Sequence, residues 1–426
     1  MKCNSAVVLA SLLFLSVPSL SRARQAPAPD QPAKLTDLLA EAERNNPQIQ
    51  AAQHGWDSVK QIPSQVSTLP DPQFVLQQLN VGSPRPFAGY TNSDFAYVGL
   101  GISQDLPYPG KLRLRGEIAK KDADVTQQKF ESVRREILAS VKMAYFRLGY
   151  LAKQQTILKG DSQLLTQVEQ AAESRYRNGM GNQQDVLQAQ LERTKLLRQI
   201  TTNQLEAGKV QAEIKQLLNR SQSSPDIETT ELSESALAYT YDHLLDAAKL
   251  NNPEILAAQK MVERQGLQVD LAKKDFYPDF NLQYMWQRTD PAQFRAYYMF
   301  TLGVRIPIYR ERRQRPELAQ AEADQGRARS EQEGQIQQIA FQLRQQYLGA
   351  EKSAELLKIY RDGLIPQARA ALQAGMAAYQ SNRQDFQALL VSFLDVLKLD
   401  EEYWQTLSEH EMALAQIEAV TGLSLH

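Results

Sequence analysis

Two periodicities alternate along this chain, and each occurs in both halves. The first has period two. In 280–287, Phe280, Leu282, Tyr284 and Trp286 alternate with Asn281, Gln283, Met285 and Gln287. In 298–306, Tyr298, Phe300, Leu302, Val304 and Ile306 alternate with Met299, Thr301, Gly303 and Arg305. The first half is less clean: Phe74 and Leu76 begin one such segment, and Val98, Leu100 and Ile102 face away from Gly99, Gly101 and Ser103. Each pair is joined by a polar stretch rich in Pro, Gly and Asn (81–94 and 288–296), which predicts two hairpins with exposed loops. An aromatic, apolar face over about 10 residues is the signature of a membrane-barrel strand. It also fits an amphipathic hairpin on a soluble core, and the strands taken alone favour that second reading.

The second periodicity averages 3.5 residues. Ile137, Val141, Ala144, Leu148, Leu151, Gln155 and Leu158 advance in steps of four and three. So do Ile336, Ile339, Leu343, Gln346, Ala350, Ser353, Leu357, Tyr360 and Leu364. This is a coiled-coil seam. Little ends a helix between about Lys111 and Tyr176 or between about Pro316 and Tyr379, and Pro366 should kink the second rather than stop it. Each would run roughly 95 Å at 1.5 Å per residue. After a turn, 185–218 and 385–420 return, the latter keeping a seam of Leu390, Phe393, Leu397, Trp404, Leu407 and Leu414. Gln, Ser and Ala dilute the seams, which suits a hollow bundle.

The repetition extends to the wording. LLAEAERNNPQIQAAQ begins at Leu38 and LLDAAKLNNPEILAAQ at Leu244, 206 positions later. Each leads through a Pro-rich break into a strand pair and then a long helical hairpin, so internal duplication is expected. The boundaries are 34–219 for the first unit, 220–239 for a Ser/Pro/Asp/Glu linker, and 240–426 for the second.

Ahead of these units lies a processing signal in 1–23. Lys2 supplies the charge, 6–17 the apolar core, and Ser21-Arg22-Ala23 the small-residue cut, followed by a flexible lead-in at 24–33. The only cysteine, Cys3, leaves with the signal, so disulfides and thiolate chemistry are excluded. No later stretch has 18 consecutive apolar residues; a membrane could be crossed only by a β-barrel. Four strands cannot close one, since the smallest have about 8, and open edges are not tolerated in lipid. Several chains would have to share the barrel, and three copies would supply 12 strands. The 48 basic and 49 acidic residues balance to −1, which gives no footprint for nucleic acid.

Taken in order, the NNP segments, strand pairs and helix turns YRNGMGNQQDVLQAQ (from Tyr176) and AYQSNRQDFQALL (from Ala378) resemble the TolC-like outer-membrane efflux family. The resemblance covers essentially the whole mature chain. The shortened second turn and the PYPGK before the first long helix look more like its heavy-metal-efflux branch. The resemblance implies an α+β membrane protein: a homotrimer whose 12-stranded outer-membrane barrel takes four strands per chain and continues into a coiled-coil periplasmic tunnel. Phe280, Leu282, Tyr284, Trp286, Tyr298, Phe300, Leu302 and Val304 would then face outer-membrane lipid. The implied partners are a periplasmic adaptor (membrane fusion) protein and an inner-membrane pump, of the RND type or another.

In this family the two turns are the periplasmic tips, where the tunnel is gated. The first keeps Gly179 with Asp185 six residues on; the second has Asn382 where the family has Gly. The family closes its tips partly with an Asp on one turn held by a Tyr and an Arg on the other. The matching positions are Asp185, Tyr379 and, one place displaced, Arg383. An equal alternative makes Asp185 and Asp385 N-caps of the returning helices. Where relatives carry lumen-facing acids beyond the second tip this chain has Val391 and Ser392, with Asp395 further along.

Nothing points to catalysis. His54, His243, His410 and His426 show no metal-ligand spacing and are expected on exposed helix faces. No Walker loop, dinucleotide fingerprint or nucleophile elbow is present, the methionines are scattered, and no cofactor or metal is implied. The competing reading is a periplasmic coiled-coil or adaptor protein without a channel.

Overall fold

The computed structural model describes residues 33–79, 96–288, 296–381 and 383–425. The expected signal peptide, nearly all of the lead-in, the interiors of both hairpin loops, Asn382 and His426 lie outside these residues. In chain order the elements are α1 (Leu35–Asn45), α2 (Pro47–Val59), α3 (Ile62–Ser67), β1 (Gln73–Leu79), β2 (Tyr97–Leu106), α4 (Lys111–Arg177) and α5 (Gln183–Leu217). The second half follows with α6 (Tyr241–Asn251), α7 (Pro253–Lys274), β3 (Asp279–Arg288), β4 (Tyr297–Arg305), α8 (Gln314–Ile359), a π turn (Tyr360–Leu364), α9 (Ile365–Gln380) and α10 (Phe386–Thr421).

Each NNP segment divides two helices. Pro47 and Pro253 open α2 and α7, where a missing N–H costs nothing. The preceding asparagine caps: Asn46 Oδ1 accepts from the N–H groups of Gln48 (2.9 Å) and Ile49 (3.3 Å). Asn252 Oδ1 does the same for Glu254 (2.9 Å) and Ile255 (3.3 Å). Each Nδ2 then donates to the end of a returning helix, Asn46 to Leu217 O (2.8 Å) and Asn252 to Val420 O (3.0 Å). One buried side chain per half thus fastens a short helix to a long one.

The four strands form one antiparallel meander in the order β1-β2-β3-β4, with β2 and β3 joining the two halves. Among the described residues its edges, β1 and β4, pair with no further strand. Register places Phe74, Ile102, Tyr284 and Phe300 in one cross-strand row and Leu76, Leu100, Trp286 and Tyr298 in the next. Leu282–Leu302 and Phe280–Val304 continue the same face. That face is open: Phe74, Tyr298 and Phe300 are 75%, 67% and 64% exposed. The opposite face carries Gly99, Gly101, Ser103, Asn281 and the buried Met285 and Gln287. Asn281 Nδ2 donates to Ser103 Oγ (3.1 Å) and Asp105 Oδ1 (2.9 Å) there. A Cβ on Gly101 would meet Tyr284 O at 2.7 Å, so only glycine fits that position.

Long helices make up the rest. Unbroken α4 has 67 residues, about 100 Å. Its seam residues Val141, Ala144, Leu148, Leu151 and Leu158 are buried against α1, α5 and α10. On α8, Ile339, Leu343, Ala350, Ser353 and Leu357 are buried, but Leu364 is 39% exposed, contrary to the expected seam. The cause is local. Pro366 cannot donate to the carbonyl four residues back and its ring crowds it. The chain instead takes one π turn, with the Ile365 N–H on Tyr360 O. A π turn holds one surplus residue, so the seam slides from Leu364 to Ile365 and then runs through the buried Leu372 and Tyr379. As expected, Pro366 does not stop the helical path.

One histidine corrects the sequence reading. His54 and His243 lie on exposed positions, but His410 is 1% exposed. Its Nε2 lies 2.8 Å from Ser235 O and its Nδ1 2.9 Å from Ser353 Oγ. The linker folds over this face of α10, and the helix's own pattern carries no sign of that cover.

Candidate functional site

The two helix turns lie together and close over one apolar cluster. Leu165, Val168 and Ala172 of α4, Ala189 and Leu196 of α5, Leu372 and Tyr379 of α9, and Phe386, Leu390 and Phe393 of α10 form it. The first turn is a Schellman motif: Met180 N–H reaches Arg175 O (2.9 Å) and Gly179 N–H reaches Tyr176 O (3.0 Å). It requires a left-handed residue, and Gly179 has φ +71°. In the second turn Arg383 N–H reaches Ala378 O (2.8 Å), the same six-to-one bond.

The two aspartates differ. Asp385 is an N-cap, its Oδ1 accepting from Ala388 N–H at 2.9 Å. Asp185 is not; Asn182 holds that position and Asp185 sits in the first turn of α5. The capping alternative therefore holds for one and fails for the other. The longer first turn has carried Asp185 into the helix.

Tyr379 is the centre of the site, 3% exposed with its ring edge-on to Phe386 at 5.9 Å. Its hydroxyl is buried and has no hydrogen-bond partner among the described residues. Burial pushes the phenol above its ordinary range; the Arg175 charge opposes this and the Asp185 charge adds to it. No hydrogen bond joins Asp185 to Tyr379; the aspartate acts on the phenol only through its charge. Arg383 is exposed, and its side chain pairs with neither of them.

A different arginine occupies the junction. The Arg175 guanidinium lies 4.4 Å from the Tyr379 ring centroid. It donates to Tyr379 O on the second turn and to Met180 O (3.2 Å) on the first. One cation therefore ties the two turns. Sequence reasoning passed over it because Arg175 precedes the turn and has no charged counterpart at Ala378; its Schellman position was the one usable signal.

Above the tip, α4, α9 and α10 bring Asp161, Arg369 and Asp400 together. Arg369 pairs with Asp400 at 2.9 Å. Burial, then the like charge of Asp400, push the Asp161 carboxyl up to about 6, with Arg369 opposing. Beyond the second turn Val391 and Asp395 are exposed while the seam between them is buried. Among the described residues no cluster of His, Cys, Asp or Glu could hold a metal, and no helix is long and apolar enough to cross a membrane.

Comparison with known proteins gives this arrangement a family. The outer-membrane channel OprN superposes with a TM-score of 0.79 at 17% identity, over 92% of this chain and 90% of its own. The outer membrane protein VceC from Vibrio cholerae gives 0.78 at 18%, over 93% and 98%. The outer membrane channel CmeC of Campylobacter jejuni gives 0.77 at 12%, over 99% and 94%. At such identities the likeness shows the fold. No curated protein sequence matches the chain. The sequence profile of the outer membrane efflux proteins, however, matches residues 38–220 and 244–384. The chain belongs to the outer membrane efflux protein family, located at the outer membrane with its helical part in the periplasm.

Proposed function

We propose that the chain is the passive exit duct of a tripartite efflux system. Three copies share one 12-stranded barrel, and their hairpins form a tunnel that receives substrate from an inner-membrane pump through a periplasmic adaptor. The observation that carries this is the sheet: four strands with one open apolar face and two unpaired edges. Unpaired backbone groups are not tolerated in lipid, so β1 of one copy must meet β4 of the next. The eight residues of β3 and β4 on the open face are then the lipid-facing ones. Duplication gives each copy two half-staves, and transport energy comes from the partner pump.

Gating follows from the tips. Arg175, Tyr379 and Asp185 form the latch within a protomer, with Arg383, exposed beside them, free to reach a neighbouring copy. Releasing the latch lowers the cost of opening a two-state element. Two aromatic strand pairs and two long hairpins also speak against an adaptor, for which one hairpin within a β domain is expected.

The test is reconstitution. The detergent-purified protein should run as three subunits and give discrete conductance steps in a planar bilayer. A monomer that stays soluble without detergent would end the channel reading.

A further inference from the structure

Between β4 and α8 the chain reads RIPIYRERRQR, from Arg305 to Arg315. Five arginines stand here against one acid, Glu311. Glu311 is taken by Arg315, and Arg313 turns to Glu317. Among the described residues, Arg310 and Arg312 pair with no carboxylate; Arg310 Nε donates only to Pro307 O at 3.2 Å. The acids of the adjoining cleft are already matched, Asp275 and Asp279 by Lys111 and Asp324 by Arg327. Arg310 and Arg312 therefore neutralise no carboxylate among the described residues. They also crowd the N-terminus of α8, where the helix dipole disfavours cations.

The apolar residues of the same segment are just as open. Ile306, Ile308 and Tyr309 are 61%, 72% and 71% exposed. Ile306 continues the alternation of Tyr298, Phe300, Leu302 and Val304, so the segment extends the open face of the sheet toward the helices. At this level Tyr108 and Tyr277 stack at 4.6 Å, in the manner of an interfacial aromatic girdle. The helical part lies in the periplasm, which sets this segment at the boundary between lipid and periplasm.

We propose that 305–315 is a binding site for the headgroups of anionic phospholipids in the periplasmic leaflet. Ile308 and Tyr309 enter the acyl boundary, and Arg310 and Arg312 meet the phosphate. A planar guanidinium fork matches phosphate oxygens, and juxtamembrane cations gain from an anionic leaflet. The site fixes the depth of the barrel. It rests on the barrel reading above.

The experiment uses the full chain, purified in dodecylmaltoside and stripped of lipid. It is offered equal amounts of phosphatidylglycerol and phosphatidylcholine, and native mass spectrometry counts the lipids retained. Wild type should favour phosphatidylglycerol. R310Q/R312Q should lower that preference on the order of 25-fold, about fivefold per arginine, with phosphatidylcholine unchanged. Should the double variant fail to assemble, wild type in 0.1 and 0.5 M salt serves, because a phosphate contact must weaken with salt. Equal retention of the two lipids by wild type overturns the proposal, as does a preference that survives the substitutions or the salt. So does a variant that loses subunits while keeping its lipid preference, since the arginines would then hold a second copy. A chain soluble without detergent removes the barrel reading itself; a detergent-requiring one indifferent to headgroup charge removes only this site.

Discussion

Replacing Arg175 with alanine should open the tip. The structure shows three contacts that end with it: the Tyr379 ring at 4.4 Å, Tyr379 O and Met180 O at 3.2 Å. A partly desolvated cation–π contact contributes about 1 kcal/mol. Each hydrogen bond from a charged donor adds roughly 1.5 kcal/mol. Ordering the long side chain costs about 2 kcal/mol, which leaves on the order of 2 kcal/mol holding one turn to the other. Lost from the closed state alone, this raises the open-to-closed ratio about 30-fold. Single-channel recordings in a planar bilayer read that ratio as open fraction. Arg175→Lys keeps the charge without the planar fork and should fall between. An R175A protein that assembles normally and keeps the wild-type open fraction would refute the reasoning. Opening by Arg383→Ala alone would move the latch to a contact between copies.

Asp161 gives a pH-dependent effect. The fold raises its carboxyl to about 6, so the charged form costs stability above that pH, and the cost fades as pH falls through 6 toward the unfolded value near 4. Asp161→Asn should therefore stabilise by on the order of 2 kcal/mol at pH 7.5 and by almost nothing at pH 4, read by thermal denaturation in detergent. Asn252→Ala removes a cap and orphans Val420 O, costing roughly 2–4 kcal/mol, while Asn252→Ser should restore the cap share alone. Gly101→Ala sets a methyl 2.7 Å from Tyr284 O and should reduce the three-subunit species of the detergent-purified protein in native mass spectrometry, whereas Gly55→Ala, with open space around it, should be neutral or slightly stabilising. Deleting Gly363 from the π turn while keeping Pro366 should cost about 3 kcal/mol; adding Pro366→Ala should recover most of it, because a regular helix then keeps the same seam.

What was legible at the outset was whatever depends on one element's own period. That Phe280 to Trp286 and Tyr298 to Val304 share one face was legible because alternation alone fixes which side chains lie together. The seam of α4 held for the same reason: no proline interrupts 67 residues. The illegible parts involve a second element. Asn46 and Asn252 stood out as repeats, yet their Nδ2 partners lie 171 and 168 residues away. His410 looked like a helix surface until the Ser235 segment was laid across it.

The tip shows how a local irregularity becomes a functional one. Without the π turn, the α8 seam would continue from Leu357 to Leu364, and every later residue would be turned by about 100° about the helix axis. Tyr379 would then leave the cluster that it now shares with Phe386, and Arg175 would have no ring to stack on. The proline that forces the turn lies 13 positions before Tyr379. The first half has no such turn and reaches its tip through Gly179 at φ +71°. The two tips therefore present different surfaces from similar halves: a cation from the first and a buried phenol from the second. The difference lies in two positions: Arg175 of the first half stands where the second has Ala378, and Tyr379 is buried where Tyr176 is exposed. The asymmetry between the halves is thus what gives the proposed latch its one cation–ring contact.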